Sequence, residues 1–275
     1  MNVRAVDRAT PFTEAELRDL WARGVRCVLA YIGGRNNGGR AWQPVHVERA
    51  RNLGFTVQGI YVGENVCPGC ARVDWSRAER DADEAVALAE AWGIGTVYLD
   101  VEYATYAQYP TESVSYTRRW LERAKGRVDV GVYGPWGLLE KLQDTDAILW
   151  LASWTHREPT QPPFRLPCGW QWTNRYLGRS LDASTFWGVT ERVGSYHIGG
   201  GFLRLWQDVG HGLGALMRLM ILGYPISEEF REGDRVVQYF ERAVFEHHPE
   251  NAPPFDILLA RLGAERYAAR YGGKT

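Results

Sequence analysis

Short apolar runs alternate with helix-length segments through the first 142 residues, and no other feature narrows the fold as far. Val3–Asp7, Arg26–Ile32, Phe55–Val62, Thr96–Glu102 and Val128–Tyr133 are short, rich in Val, Ile, Leu and Tyr, and bounded by turn residues, as strands are. Between them lie a helix opening at Thr13-Glu14-Ala15-Glu16, then Pro44–Leu53, Ser76–Trp92 and Thr111–Lys125, with a short helix at Trp136–Leu142 after the fifth strand. Repeated units of this size predict a parallel sheet with crossover helices, and a barrel of this kind carries its site at the C-terminal ends of the strands. After Leu142 the helices stop. Ala147–Trp154, Gly169–Thr173 and Ser180–Ser184 read as three more strands, and Pro159, Pro162, Pro163 and Pro167 mark an irregular loop.

The fourth strand carries the chemistry. In Thr96-Val97-Tyr98-Leu99-Asp100-Val101-Glu102, alternation places Tyr98, Asp100 and Glu102 on one face and Val97, Leu99 and Val101 on the other. Two carboxylates thus share a wall, roughly 6–7 Å apart along the strand. Acids buried together are costly unless paired or used, and like charges held close raise one pKa, giving an acid beside a base.

Composition removes other classes. The 275 residues carry a formal net charge of −1, so there is no nucleic-acid footprint, and no apolar stretch reaches the length of a membrane span. The 12 Trp, 14 Tyr and 9 Phe serve either a core or the stacking of sugar rings. Cys67-Pro68-Gly69-Cys70 has no second CxxC at zinc spacing and reads as a loop staple or a pair of free thiols; Cys27 reads as a small buried hydrophobe, and Cys168 has no evident partner. His247 and His248, adjacent on a strand, point to opposite faces and read as surface residues, not as a metal pair.

A second boundary falls near Arg192–Gly201, where Gly199-Gly200-Gly201 reads as a flexible break, giving domains 1–192 and 193–275. The tail is expected to hold a helix at Leu213–Leu222, strands at Arg235–Glu241 and Ala243–His247, and a last helix at Ile257–Tyr271.

Eight strings in order resemble the lysozyme barrel of glycoside hydrolase family 25, and more closely the glycoside-hydrolase-like family known as domain of unknown function 1906. They are Val6-Asp7-Arg8, Tyr31-Ile32-Gly33-Gly34, Ile60-Tyr61-Val62-Gly63, Tyr98–Glu102, Gly131-Val132-Tyr133-Gly134, Trp150–Trp154, Trp170-Gln171-Trp172-Thr173 and Leu181-Asp182-Ala183-Ser184. The resemblance implies an α/β fold: a TIM-like barrel of five βα units plus three strands, followed by a small C-terminal α+β domain. It implies acids at the ends of the first, fourth and eighth strands, here Asp7, Asp100, Glu102 and Asp182. Glu102 would be the general acid and Asp100 would assist the oxocarbenium-like centre, with Asp7 and Asp182 placing substrate or water and holding the pKa of Glu102 up. Tyr31, Tyr61, Tyr133, Trp154, Gln171 and Trp172 are the substrate-binding candidates. Of Trp170 and Trp172, one is expected to pack and the other to bind. In the tail, Leu222–Ser227 followed by Gln238–Arg242 resembles the LGFP repeat of cell-envelope proteins, which implies a wall- or glycan-associated module; a small cap packed on the barrel is the alternative.

The expectation is a peptidoglycan-cleaving lysozyme or endolysin, with a non-catalytic glycan-binding barrel and an envelope interaction protein as alternatives. Its partner would be peptidoglycan or another polysaccharide. Acid catalysis on an acetal needs no metal or organic cofactor. The polar start Met1–Asp7 does not read as a signal peptide, so action at the wall or outside the cell would follow trimming or release by another route.

Overall fold

The computed structural model describes residues 2–39, 42–63, 74–188, 190–209, 211 and 215–272. Cys67 and Cys70 lie outside the described residues. The chain divides into two compact units, Met1–Val189 and Thr190–Thr275.

The first unit is an α/β barrel. Its elements are β1 (Asn2–Asp7), α1 (Glu14–Ala22), β2 (Val25–Gly33), α2 (Pro44–Asn52), β3 (Thr56–Tyr61), α3 (Ala78–Ala91), β4 (Thr96–Asp100), α4 (Tyr103–Gln108), α5 (Pro110–Ala124), β5 (Asp129–Gly134), α6 (Trp136–Leu139), β6 (Ile148–Ala152), β7 (Cys168–Thr173) and β8 (Asp182–Trp187). The eight strands close in sequence order. β1 to β7 run parallel, while β8 is antiparallel to both β7 and β1.

Strand alternation sorts the side chains into two layers. Val6, Val28, Ala30, Val57, Tyr61, Val97, Leu99, Val132, Leu149 and Leu151 face outward into the core shared with the helices. Ala5, Cys27, Leu29, Ile60, Tyr98, Ile148, Trp150 and Phe186 fill the interior. The interior is an aromatic plug: Trp150 lies 5.2 Å from Tyr98, 5.4 Å from Phe186 and 4.7 Å from Tyr133, measured between ring centroids. Its polar tips are satisfied, Trp150 Nε1 donating to Ser184 Oγ at 3.0 Å and Tyr98 Oη to Gln58 Oε1 at 3.1 Å. Two glycines make room for it. A Cβ on Gly131 would stand 2.3 Å from the Tyr98 ring, and one on Gly169 would stand 2.4 Å from that of Phe186. Cys27 and Cys168 are buried and not joined in a disulfide.

The helices begin where the chain supplies their caps. Thr13 accepts from the Glu16 amide at 3.3 Å while Glu16 accepts from the Thr13 amide at 2.8 Å, the reciprocal box expected of that spacing. Among the described residues no α-helix stands between β7 and β8. On β8, Glu158 of the β6–β7 loop accepts from Thr185 Oγ1 at 2.9 Å and pairs with Arg4.

The second unit contains β9 (Thr190–Val193), β10 (Tyr196–Gly199), α7 (Gly200–Val209), α8 (Ala215–Leu222), β11 (Phe230–Glu232), β12 (Arg235–Tyr239), β13 (Val244–His247), β14 (Ile257–Leu259) and α9 (Leu262–Tyr271). β9 and β10 form a two-stranded hairpin, and β11 to β14 form an antiparallel sheet in sequence order. Two expectations are corrected here. Gly199-Gly200-Gly201 is no break: it ends β10 and opens α7, because Phe202, Leu203 and Trp206 recur at helical spacing and bury against Phe240 and Phe245. Ile257–Leu259 is not helical but a strand, held by pairing with β13. His247 and His248 are half-buried, and His248 lies between Glu246 and Glu250 at 3.1 Å from each. The strings Leu222–Ser227 and Gln238–Arg242 meet backbone to backbone, through Ile226 N to Tyr239 O at 2.9 Å and Glu241 N to Tyr224 O at 3.0 Å.

Gly131→Ala is expected to destabilise the protein by about 1–3 kcal/mol, the cost of forcing extra volume into a packed interior. Denaturant unfolding followed by tryptophan fluorescence measures it, and an unchanged midpoint would contradict the packing described.

Candidate active site

Each acid reaches the barrel mouth by a different route. Asp7 is the last residue of β1 and is 1% exposed. Asp100 is the last residue of β4 and is likewise buried. Asp182 opens β8 and is directly opposite Asp7 in the antiparallel register. Glu102 lies beyond β4 rather than on it. It is extended (φ −69°, ψ 144°), half-buried, and immediately precedes α4, a helix the sequence pattern did not predict. The Val101 amide still donates to Tyr133 O at 2.9 Å, so the chain keeps its strand course as far as Glu102.

Tyr133 marks where the four meet. It is opposite Asp100 in the β4–β5 register, and its phenol is pushed well above the usual range by burial and then by Asp100, Glu102, Asp7 and Asp182. Arg8, next to Asp7 in sequence, brings no positive charge in, because its guanidinium is bound to Glu16 at 2.8 and 2.9 Å.

Asp7 and Asp182 form a coupled pair. Burial raises Asp7 well above the usual carboxylate range, and Asp182 and Asp100 push it further; Tyr31 and Gln171 oppose the rise by hydrogen bonding. Tyr31 Oη donates to Asp7 Oδ2 at 3.3 Å. Burial lifts Asp182 to about 6, its hydrogen bond with Asp7 opposing the rise and Glu102 adding to it. Two carboxyls in this relation hold one proton between them near neutral pH. Among the described residues, no group of three or more His, Cys, Asp or Glu is arranged to hold a metal ion.

The structure divides the substrate-binding candidates. Tyr31, Tyr133, Gln171 and Trp154 cluster around the acids: Gln171 Oε1 accepts from Tyr133 Oη and from Trp154 Nε1, each at 2.8 Å. Tyr61 and Trp172 are corrected, since both point out of the barrel. Tyr61 is fully buried against Trp120 and donates to Glu84 on α3 at 3.0 Å. Trp172 packs on Tyr176 and donates to Thr185 Oγ1 at 3.2 Å. Trp170 shares that outer face and donates to Ser153 O at 2.8 Å. Two exposed aromatics were missed: Tyr103 just after β4 and Trp136 just after β5, standing like Trp154 beyond the C-terminal ends of adjacent strands. Their signal in the sequence was an aromatic residue immediately past a strand end.

Residues 18–197 match the family described as Rv2525c-like, glycoside hydrolase-like domain. The chain belongs to this family. Among solved structures it is similar to an uncharacterized protein of B. stearothermophilus, with 17% identity and a TM-score of 0.51 over 66% of this chain and 94% of the other. It is also similar to a muramidase from Acremonium alcalophilum, with 16% identity and a TM-score of 0.50 over 68% and 94%. A family 25 glycosyl hydrolase from Bacillus anthracis gives 14% identity and a TM-score of 0.49 over 68% and 89%. A search of curated proteins found no match. At these identities the likeness is one of fold, the eight-stranded α/β barrel; the glycoside hydrolase-like description rests on the family match. No helix among the described residues is long and apolar enough to cross a membrane.

The Asp7–Asp182 pair sets a pH dependence. Folded Asp182 holds its proton up to about 6, whereas an unfolded aspartate releases it near 4. The folded state therefore binds more protons in that window, and stability falls as pH rises from about 4 through about 6 and stays lower above it. Asp182→Asn is expected to raise the Tm relative to wild type at pH 8, with the gap closing near pH 4. A constant gap across that range, read by calorimetry, would refute the shared-proton arrangement.

Proposed function

We propose that the barrel mouth hydrolyses glycosidic bonds in a peptidoglycan-like polysaccharide. The observation that carries this reading is the gathering of Asp7, Asp100, Glu102 and Asp182 around the single phenol of Tyr133, at the end of the barrel where such folds do chemistry. Acetal cleavage needs a carboxylic acid to protonate the leaving oxygen and a carboxylate near the oxocarbenium-like centre. Glu102 is the acid on this reading, because it stands half-buried past the end of β4, where a substrate can approach it, whereas the half-buried Asp182 is engaged with the carboxyl of Asp7. Asp100, two residues deeper on the same face, serves the developing positive charge or orients the substrate's own acetamido group. Asp7 and Asp182 keep the neighbourhood negative, which favours the protonated form of Glu102.

The muramidase among the structural neighbours supports the polysaccharide class of substrate, and the match to a glycoside hydrolase-like family supports the reaction class. With a substrate of that kind, the protein would act at the cell wall or outside the cell. The second unit, with its two LGFP-like strings joined by backbone hydrogen bonds, would serve as the wall-associated module.

Purified peptidoglycan incubated with the protein should release reducing ends, and Glu102→Gln should lower the rate by about a hundredfold or more, the usual worth of a positioned acid. Binding of the glycan with no release by either form would reduce the reading to a non-catalytic glycan-binding barrel.

A further inference from the structure

Gln171 was expected to touch substrate, but it is 3% exposed and lies in the barrel wall beneath the mouth. Its Oε1 accepts two donors, Tyr133 Oη and Trp154 Nε1, both at 2.8 Å. An amide nitrogen in that place could still donate to the Tyr133 hydroxyl, but it would meet the Trp154 N–H, which only donates, so the indole selects the orientation with Oε1 toward it and the NH₂ turned toward Asp7. Trp154 itself is 55% exposed, although its N–H end is anchored in the wall. The backbone on both sides of it is also tied to β7: Ser153 N donates to Gln171 O at 3.2 Å, and His156 N to Trp172 O at 2.7 Å. Trp170 Nε1 adds a third tie, to Ser153 O.

A large apolar ring held in water in one orientation gains nothing for the fold. It is what stacking on the apolar face of a pyranose requires, because the entropic cost of ordering the ring is met before the ligand arrives. We propose that Gln171 is a positioning residue that fixes the indole of Trp154 as a stacking platform for a sugar ring of the glycan, beside the acids. The inference rests on the reading of the mouth as a glycan site, but it concerns binding and does not require turnover.

Chitotetraose, a β-1,4-linked tetramer of N-acetylglucosamine, is the probe, with affinity measured by calorimetry on the full chain. Trp154→Phe keeps a ring and loses the N–H; Gln171→Leu loses the acceptor. Each is expected to weaken binding about fivefold, the worth of one hydrogen bond, and the double variant is expected to bind no more weakly than the poorer single one. Gln171→Glu, measured at about pH 5 where a carboxyl beside Asp7 keeps its proton, retains an acceptor oxygen for the indole and an O–H toward Asp7, and should bind within about twofold of wild type at that pH. The Trp154 indole N–H resonance, assigned by its loss in Trp154→Phe, should shift in Gln171→Leu and stay in place in Gln171→Glu. Multiplicative losses in the double variant, an unmoved resonance in Gln171→Leu, or equal losses in Gln171→Glu and Gln171→Leu would overturn the proposal. Failure of the wild type to bind chitotetraose would overturn both the platform and the glycan reading. Binding with the expected coupling and no release of reducing ends would uphold the role of Gln171 and overturn hydrolysis.

Discussion

The pairing of β8 with β1 is the contact on which the rest of the barrel depends. It closes the ring, and because β8 runs against its neighbours it brings its first residue, not its last, to the mouth. Were the eighth strand parallel, Trp187 would stand where Asp182 does. Register matters as much as direction. Asp182, Ser184 and Phe186 face inward while Ala183 and Trp187 join the outer core, and a slip of one residue would exchange the two sets. The acid opposite Asp7 and the ring that completes the aromatic plug are therefore fixed by one register. Among the described residues no α-helix leads into the closing strand, and the Arg4–Glu158–Thr185 network ties it to β1 and to the β6–β7 loop.

The plug beneath the mouth sets the electrostatics above it. Tyr98, Trp150 and Phe186 exclude water from the floor, and Tyr98 is two residues below Asp100 on the same face of β4. Burial is accordingly the largest cause of the rise at both Asp7 and Asp182, ahead of the charges of Asp182 and Asp100 at the first and of Glu102 at the second. Packing and protonation are one problem here: the small side of Gly131 and of Gly169 admits the rings, the rings dry the floor, and the dry floor keeps a proton on the acid pair.

Much of this was legible in the sequence because it is periodic. The five βα units, the three helix-poor strands and the inner face of Tyr98, Asp100 and Glu102 all follow from counting in twos and in helical turns. What strand parity fixes, string matching does not. Gln171 and the two tryptophans that flank it cannot share a face, and once Gln171 points inward Trp170 and Trp172 must point out. The same count turns Tyr61 outward once Ile60 lies inside. In the second unit the error had another origin. Glycine's weak helix propensity made Gly199–Gly201 look like a linker, but burial of Phe202, Leu203 and Trp206 outweighs a propensity cost of about 1 kcal/mol per glycine.

The four acids are not equivalent, and their differences follow from where the backbone ends. Asp7 and Asp182 are locked by cross-strand pairing and bound to each other, Asp7 buried and Asp182 half-buried. Glu102 stands past the last residue of β4, at the entrance to a helix, where the ladder no longer confines it. Asp100 lies between, buried yet on the same face as Glu102. A group that must meet a substrate oxygen needs solvent access, and a group that only biases a neighbour's proton does not. On the proposed reading, the division into an accessible acid and a ladder-bound charge reservoir is therefore written in strand length: one more residue of regular ladder on β4 would carry Glu102 toward the same confinement as Asp7.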